Sequence, residues 1–205
     1  MNPRRLLTLA DCIRTTPLSM SALSMINKIA FKPSLGHTVV AGKNYWSSGS
    51  NICHLVRRLE RLITQNKFEF GPCSRRDRII KGRERIIYIS TWEDRIVERW
   101  LNDSMNRLLD SWFCKSSYAY RTSELGLDEC QNQIAKHIRQ NPHVTKRDIS
   151  KYFYSIDHDI MLDKVKALVA ENDPLYRMIE QRVRFKYFME GSTEVKDAPL
   201  GNLAT

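Results

Sequence analysis

Apolar residues at Ile52, Leu55, Val56, Leu59, Leu62 and Ile63 recur at the spacing of one helix face, with Arg57, Arg58 and Arg61 on the other side. This pattern predicts an amphipathic helix, and Asn51 just before it has the chemistry of an N-cap. From Phe68 the period changes. Phe68 and Phe70 alternate with polar residues, and Ile79–Ile80 and Arg85–Ile86–Ile87–Tyr88–Ile89 flank the turn-like Lys81–Gly82–Arg83–Glu84. A β-hairpin with a charged tip is expected over Phe68–Ser90. Ser90–Thr91–Trp92–Glu93 then has the spacing of a capping box. The helix it opens would bury Ile96, Val97, Trp100, Leu101, Met105, Leu108 and Leu109.

A further helix is predicted from about Ser123 to Ile138, and a short strand over Pro142–Ile149. Next comes a helix starting near Asp157 or His158, with Ile160, Met161, Val165, Leu168 and Val169 inward. Asp173–Pro174 opens one more, cap and first-turn proline in the favoured order. Residues 1–50 are mixed and poorly periodic, with a Gly/Ser-containing stretch around Gly42–Ser50. They read as an N-terminal helix with a loose connector. Their basic, Ser/Thr-containing start is compatible with an organelle transit peptide, but Asp11 and the lack of a long arginine-rich stretch argue against one. The small, polar tail from Gly191 to Thr205 shows no terminating element.

The composition bounds the function. Over 205 residues, Lys and Arg outnumber Asp and Glu by 33 to 23, giving a formal charge of +10. That favours a polyanionic partner, of which nucleic acid is the commonest. With 42% of residues apolar, the chain can form a real core. Cys12, Cys53, Cys73, Cys114 and Cys130 form no Cys-x-x-Cys pair, and the five histidines complete no zinc pattern. The cysteines read as reduced thiols of a cytoplasmic protein. No apolar run approaches the length of a membrane span.

The segment richest in chemistry is Lys146–Arg147–Asp148–Ile149–Ser150–Lys151–Tyr152–Phe153–Tyr154–Ser155–Ile156–Asp157–His158. An aspartate at a strand end with an aromatic five positions on suits a polymerase palm. Nucleotidyl transfer uses two divalent ions about 4 Å apart, and magnesium takes one or two carboxylates plus substrate oxygens. Asp148 would supply one ligand and the carbonyl of Ile149 another. Taken alone, Asp148 reads more readily as a strand cap or an ion pair with Lys146 or Arg147; the metal role rests on the company it keeps. Asp157 is better read as a helix cap than as a metal ligand.

Three blocks in order, Arg85–Arg99 containing Asp94–Arg95–Ile96–Val97, then Ser117–Tyr118–Ala119–Tyr120–Arg121, then Asp148–His158, resemble bacterial reverse transcriptases. The relatives are those of group II introns, retrons, diversity-generating retroelements and phage-defence systems. The resemblance implies an α+β fold: right-hand polymerase fingers with a β-hairpin, an incomplete palm and a helix-rich N-terminal region. Its divisions would be an extension over 1–50, fingers over 51–141 and a partial palm over 142–205. Asp148 takes the place of the first metal-binding aspartate. Phe153 takes that of the aromatic gate beneath the incoming sugar, which excludes ribose by repulsion; without the motif it would equally be a packing residue. Arg85 corresponds to the fingers arginine on the nucleotide, and Arg78 or Lys81 to a second phosphate contact. From Arg75 to Arg85 there are six basic and two acidic residues, enough to neutralise phosphates or simply to solvate a hairpin. Arg121 would lie near template or nucleotide, or brace the fold; Tyr118 and Tyr120 read as packing residues. Pro199–Leu200–Gly201–Asn202 resembles the Pro-x-Gly loop, where Gly201 lets backbone approach the substrate.

The implied activity is RNA-directed DNA synthesis with Mg²⁺, RNA template, DNA primer and dNTP. Such enzymes place their other aspartates in a Tyr-x-Asp-Asp hairpin, and no Asp-Asp pair occurs in the chain. The 205 residues alone are therefore expected to be inactive, as a truncated product or as half of a split enzyme completed by a second chain. The alternative is a non-catalytic RNA-binding protein with a polymerase-like front half.

Overall fold

Eighteen residues, Trp92–Leu109, make a helix with Trp92, Ile96, Val97, Trp100, Leu101 and Leu109 buried, and Met105 and Leu108 partly buried against the same core. The computed structural model describes residues 5–31, 52–80, 82–121, 125–141, 143–150 and 152–199, with backbone alone at 27–31, 83 and 153. Along the chain the elements are α1 (Leu9–Thr15), α2 (Leu18–Phe31), α3 (Ile52–Thr64), β1 (Cys73–Ile80), β2 (Arg83–Ile89), α4 (Trp92–Leu109), α5 (Leu127–Gln140), α6 (His158–Lys166), α7 (Pro174–Val183), β3 (Lys186–Met189) and β4 (Val195–Asp197). The fold is α+β, as expected.

The sheet has the order β2-β1-β3-β4. The predicted hairpin is real: β1 and β2 pair antiparallel from Ser74↔Ile89 to Ile80↔Arg83. Its ladder starts at Ser74, not at Phe68. Phe68 and Phe70 instead meet edge to face, 4.9 Å between ring centres, on the helical core. β3 adds to β1 in parallel and carries β4, which lies in the tail where no element was expected. Tyr88, Phe185, Tyr187 and Cys73 form a second, small core on this sheet.

The N-terminal region is helical, as expected, with two helices packed into the core rather than one. Thr8 and Asp11 close a capping box on α1. Leu7, Leu9, Cys12, Leu18 and Ala22 are all buried. α4 holds these helices by three polar links. The Trp100 indole donates to the Thr16 carbonyl (2.7 Å), the Ser104 hydroxyl to the Cys12 carbonyl (3.3 Å), and the Ser21 hydroxyl to Asp103 (3.0 Å). Leu7 N–H also donates to Leu168 O (2.8 Å) and Leu9 N–H to the Asp173 carboxylate (2.7 Å), joining the first residues to α6 and α7. Asn51 and the Gly42–Ser50 stretch lie outside the described residues.

Helix ends follow local chemistry with two shifts. α4 is capped by Thr91, whose side chain accepts from Asp94 N–H, rather than by Ser90. Ser90 is buried and donates instead to Glu98 (2.7 Å). α5 begins at Leu127, and Ser123 lies outside the described residues; none of its side chains is buried. Asp157 caps α6 by accepting from the N–H groups of Asp159 and Ile160, and Asp173 caps α7 ahead of Pro174, both as expected. On α6 and just after it, Met161, Val165 and Leu168 are partly buried against the core and Val169 is buried, as expected, together with Leu162; Ile160, expected inward, is 61% exposed. The strand expected over Pro142–Ile149 does not form. Residues 143–149 pair with no strand and all are exposed; Pro142 lies outside the described residues.

Candidate nucleotide-binding cleft

The hairpin register places Arg78 directly opposite Arg85. Like charges facing each other across a strand pair are destabilising unless something anionic lies between or above them. The neighbouring arginines are already engaged. Arg75 forks onto Asp77 at 3.0 and 3.2 Å, which raises its basicity, and Arg76 lies 3.7 Å from Glu190. Among the described residues no carboxylate pairs with Arg78 or Arg85. At the tip, Gly82 has φ +73° with nothing near its missing Cβ, so glycine is there for conformation rather than for space. Lys81 lies outside the described residues.

A cleft of about 500 Å³ opens against this hairpin, lined by Arg75, Asp77, Arg78, Ile79, Glu84, Arg85, Ile86 and Tyr154. That volume is in the range of small-ligand sites. Arg78 and Arg85 thus come together as expected. Tyr154, which sequence reasoning passed over in favour of its neighbour Phe153, joins them from the far side of the chain. Its signal was present as an aromatic pair in a short 3₁₀ turn, Tyr152–Tyr154.

Asp148 stands six residues before Tyr154, and six extended residues span at most about 20 Å. Its carboxylate is exposed, accepting one bond from the N–H of Ile149 (3.0 Å). Ile149 is itself 67% exposed. Among the described residues no three His, Cys, Asp or Glu side chains gather as a metal cage. The Phe153 side chain and Gly201 lie outside the described residues.

Arg121 is engaged inside the protein. Its Nε donates to the Asp110 carboxylate (2.8 Å), and its terminal nitrogens donate to the same carboxylate and to the carbonyls of Asp110, Cys114 and Ser117. Its side chain is 5% exposed. With its donors so used, Arg121 is a brace of the 113–121 loop.

Polar links also steady the base of the hairpin. Arg182, in the last turn of α7, meets Glu98 at 2.5 Å, donates to Ser90 (3.0 Å) and lies 4.9 Å from the centre of the Phe70 ring. Gly71 N–H donates to the Asp94 carboxylate (3.2 Å). Burial pushes the Asp94 carboxyl up to about 6, against the lowering effect of its bonds to Thr91 and Gly71 and of the Arg182 charge. The folded protein therefore holds this proton more tightly than the unfolded chain does. Between about pH 4 and pH 6 stability falls as pH rises, by an amount on the order of 3 kcal/mol, and stays lower above that window. Asp94→Asn should remove this component. Urea midpoints at pH 4 and pH 7 would then differ less in the variant than in the wild type, and an unchanged difference would show that Asp94 does not titrate in this range.

A family model for reverse transcriptase (RNA-dependent DNA polymerase) matches residues 74–202. The chain belongs to the reverse transcriptase family. Among solved structures, chains of a partial Cas6-RT-Cas1–Cas2 complex and of a Cas6-RT-Cas1–Cas2 complex each align with 100% of this chain, at TM-score 0.51 and 19% identity. At that identity the likeness speaks for the fold. The chain spans 33% and 21% of the lengths of those two chains. No curated protein matches it. Among the described residues no helix is long and apolar enough to cross a membrane.

Proposed function

We propose that this chain forms the nucleotide-binding front of an RNA-directed DNA polymerase, with fingers over 51–141 and the beginning of the palm over 142–205. The observation that carries the reading is the pair of facing arginines, Arg78 and Arg85, on a cleft closed by Tyr154. Two guanidinium groups across one ladder, neither paired with a carboxylate among the described residues, suit a triphosphate, which accepts charge-assisted, bidentate bonds. Lys81, at the same tip, would add a third cation. Phe153 would lie under the sugar, and Gly201 would let backbone approach the nascent pair.

Asp148 fits a magnesium ligand by its donor chemistry: a solvent-facing carboxylate with the Ile149 carbonyl one residue on, both hard oxygen donors. When bound, such ions neutralise phosphate charge and activate the attacking hydroxyl. A single carboxylate does not complete the set. The further aspartates belong to a Tyr-x-Asp-Asp hairpin, which residues 1–205 do not contain. The activity is therefore proposed for a protein in which another segment or a second chain supplies them. RNA template, DNA primer and dNTP would be its partners. Known neighbours that belong to multi-protein assemblies are consistent with a second chain.

Phe153→Ala tests the reading. In a protein supplying the remaining aspartates, the variant should lower the preference for dNTP over rNTP by about tenfold or more, read as the ratio of kcat/KM values. Unchanged sugar selectivity would remove Phe153 from the nucleotide site.

A further inference from the structure

The loop after α4 holds a tyrosine in an unusual way. Tyr120 has φ +57°, a left-handed conformation that is a genuine outlier for a bulky residue. Its ring is 91% exposed. Single exposed apolar side chains are ordinary, so exposure alone carries nothing. What distinguishes Tyr120 is the construction beneath it. Arg121, the next residue, is nearly buried and ties Asp110, Cys114 and Ser117 together through its guanidinium. Strained backbone persists only where its surroundings over-determine it, and here the brace does so. The result is a fixed aromatic plane facing water, contrary to the packing role expected from sequence.

We propose that Tyr120 is a stacking platform for an unpaired base of single-stranded nucleic acid. The stretch 113–121 itself carries Lys115 and no acidic residue, the Arg121 charge being matched by Asp110, in a chain of net charge +10. Aromatic faces accept any base, and stacking is the usual way proteins hold single strands. The loop begins at the end of α4 away from the hairpin. That helix has 18 residues and a length of about 27 Å, and Tyr120 is not among the residues that line the nucleotide cleft. This inference rests on the nucleic-acid part of the proposed function, not on catalysis.

The test is binding of the full chain to a fluorescent single-stranded RNA and to a blunt RNA duplex across a salt series. Tyr120→Ala should weaken single-strand binding roughly five- to a hundredfold and leave duplex binding unchanged. The slope of log K against log salt should not move, because that slope counts phosphate contacts. Tyr120→Trp should bind like the wild type. Tyr120→Gly should lose binding as the alanine variant does while its Tm holds or rises, because glycine adopts φ +57° freely. Equal single-strand binding by wild type and Tyr120→Ala overturns the proposal and leaves the polymerase reading standing. A Tm drop in Tyr120→Gly that accounts for its lost binding also overturns it, assigning Tyr120 a structural role. Absence of any RNA binding by the wild type overturns both.

Discussion

Asp148→Ala eliminates RNA-templated primer extension, by at least about a thousandfold, while leaving fold and RNA affinity in place. The contrast follows from what the carboxylate touches. Asp148 is exposed, and the bond it accepts comes from the N–H of the next residue, Ile149. Among the described residues nothing buried bonds to it, so its removal should shift stability by no more than about 0.5 kcal/mol. A group so idle in the folded chain is available for a ligand. Primer extension with the remaining aspartates supplied, alongside RNA binding by the variant and its urea midpoint, separates the two effects. Extension surviving in the variant would end the metal assignment; loss of fold or RNA binding together with activity would make Asp148 structural.

Trp100→Ala has the largest expected effect on stability. The side chain is 2% exposed at the centre of α4, and its indole N–H donates to the Thr16 carbonyl. Truncation leaves a cavity and an unpaired carbonyl, a loss of about 3–5 kcal/mol. A domain of this size has about 5–15 kcal/mol in total. Because Trp100 links the first helices to the rest, the loss should appear as a lower urea midpoint together with protease sensitivity before residue 31. A midpoint within about 1 kcal/mol of wild type would mean that the N-terminal helices do not share the core.

The legible parts of the fold were those set by local patterning. α3 and α4 have full apolar faces, the hairpin has a glycine turn, and α6 and α7 have aspartate caps, so each could be placed from neighbours in sequence. The hidden parts depend on distant partners. β3 and β4 are four and three residues long, and β3 exists because β1, more than a hundred residues earlier, offers it an edge. α1 and α2 bury small residues such as Cys12, Ser21 and Ala22, which leave little apolar signal, although Thr8 and Asp11 stood at capping-box spacing. Val144–Ile149 shows the opposite case, a segment read as a strand that has no strand partner among the described residues.

The site was legible to the same degree. Arg78 and Arg85 could be placed on one hairpin but not opposite each other: a turn over Lys81–Glu84 would set Ile80 against Arg85, whereas the ladder sets Ile80 against Arg83 and so Arg78 against Arg85. Arg121 could be singled out by its block, but its bracing depends on Asp110, eleven residues earlier, and on carbonyls whose directions only the folded loop defines. Tyr154 lines the cleft because of how the 3₁₀ turn aims it, which spacing does not encode. Tyr120 was misjudged because exposure, unlike apolarity, is a property of the fold.

The most direct measurement is incorporation of labelled dNTPs on an RNA template from a DNA primer, by this chain together with the segment or partner that carries the Tyr-x-Asp-Asp aspartates, with and without Mg²⁺. Template-directed, magnesium-dependent deoxynucleotide addition is the predicted result. RNA binding with no incorporation at all, in a preparation that holds every aspartate, would contradict the account.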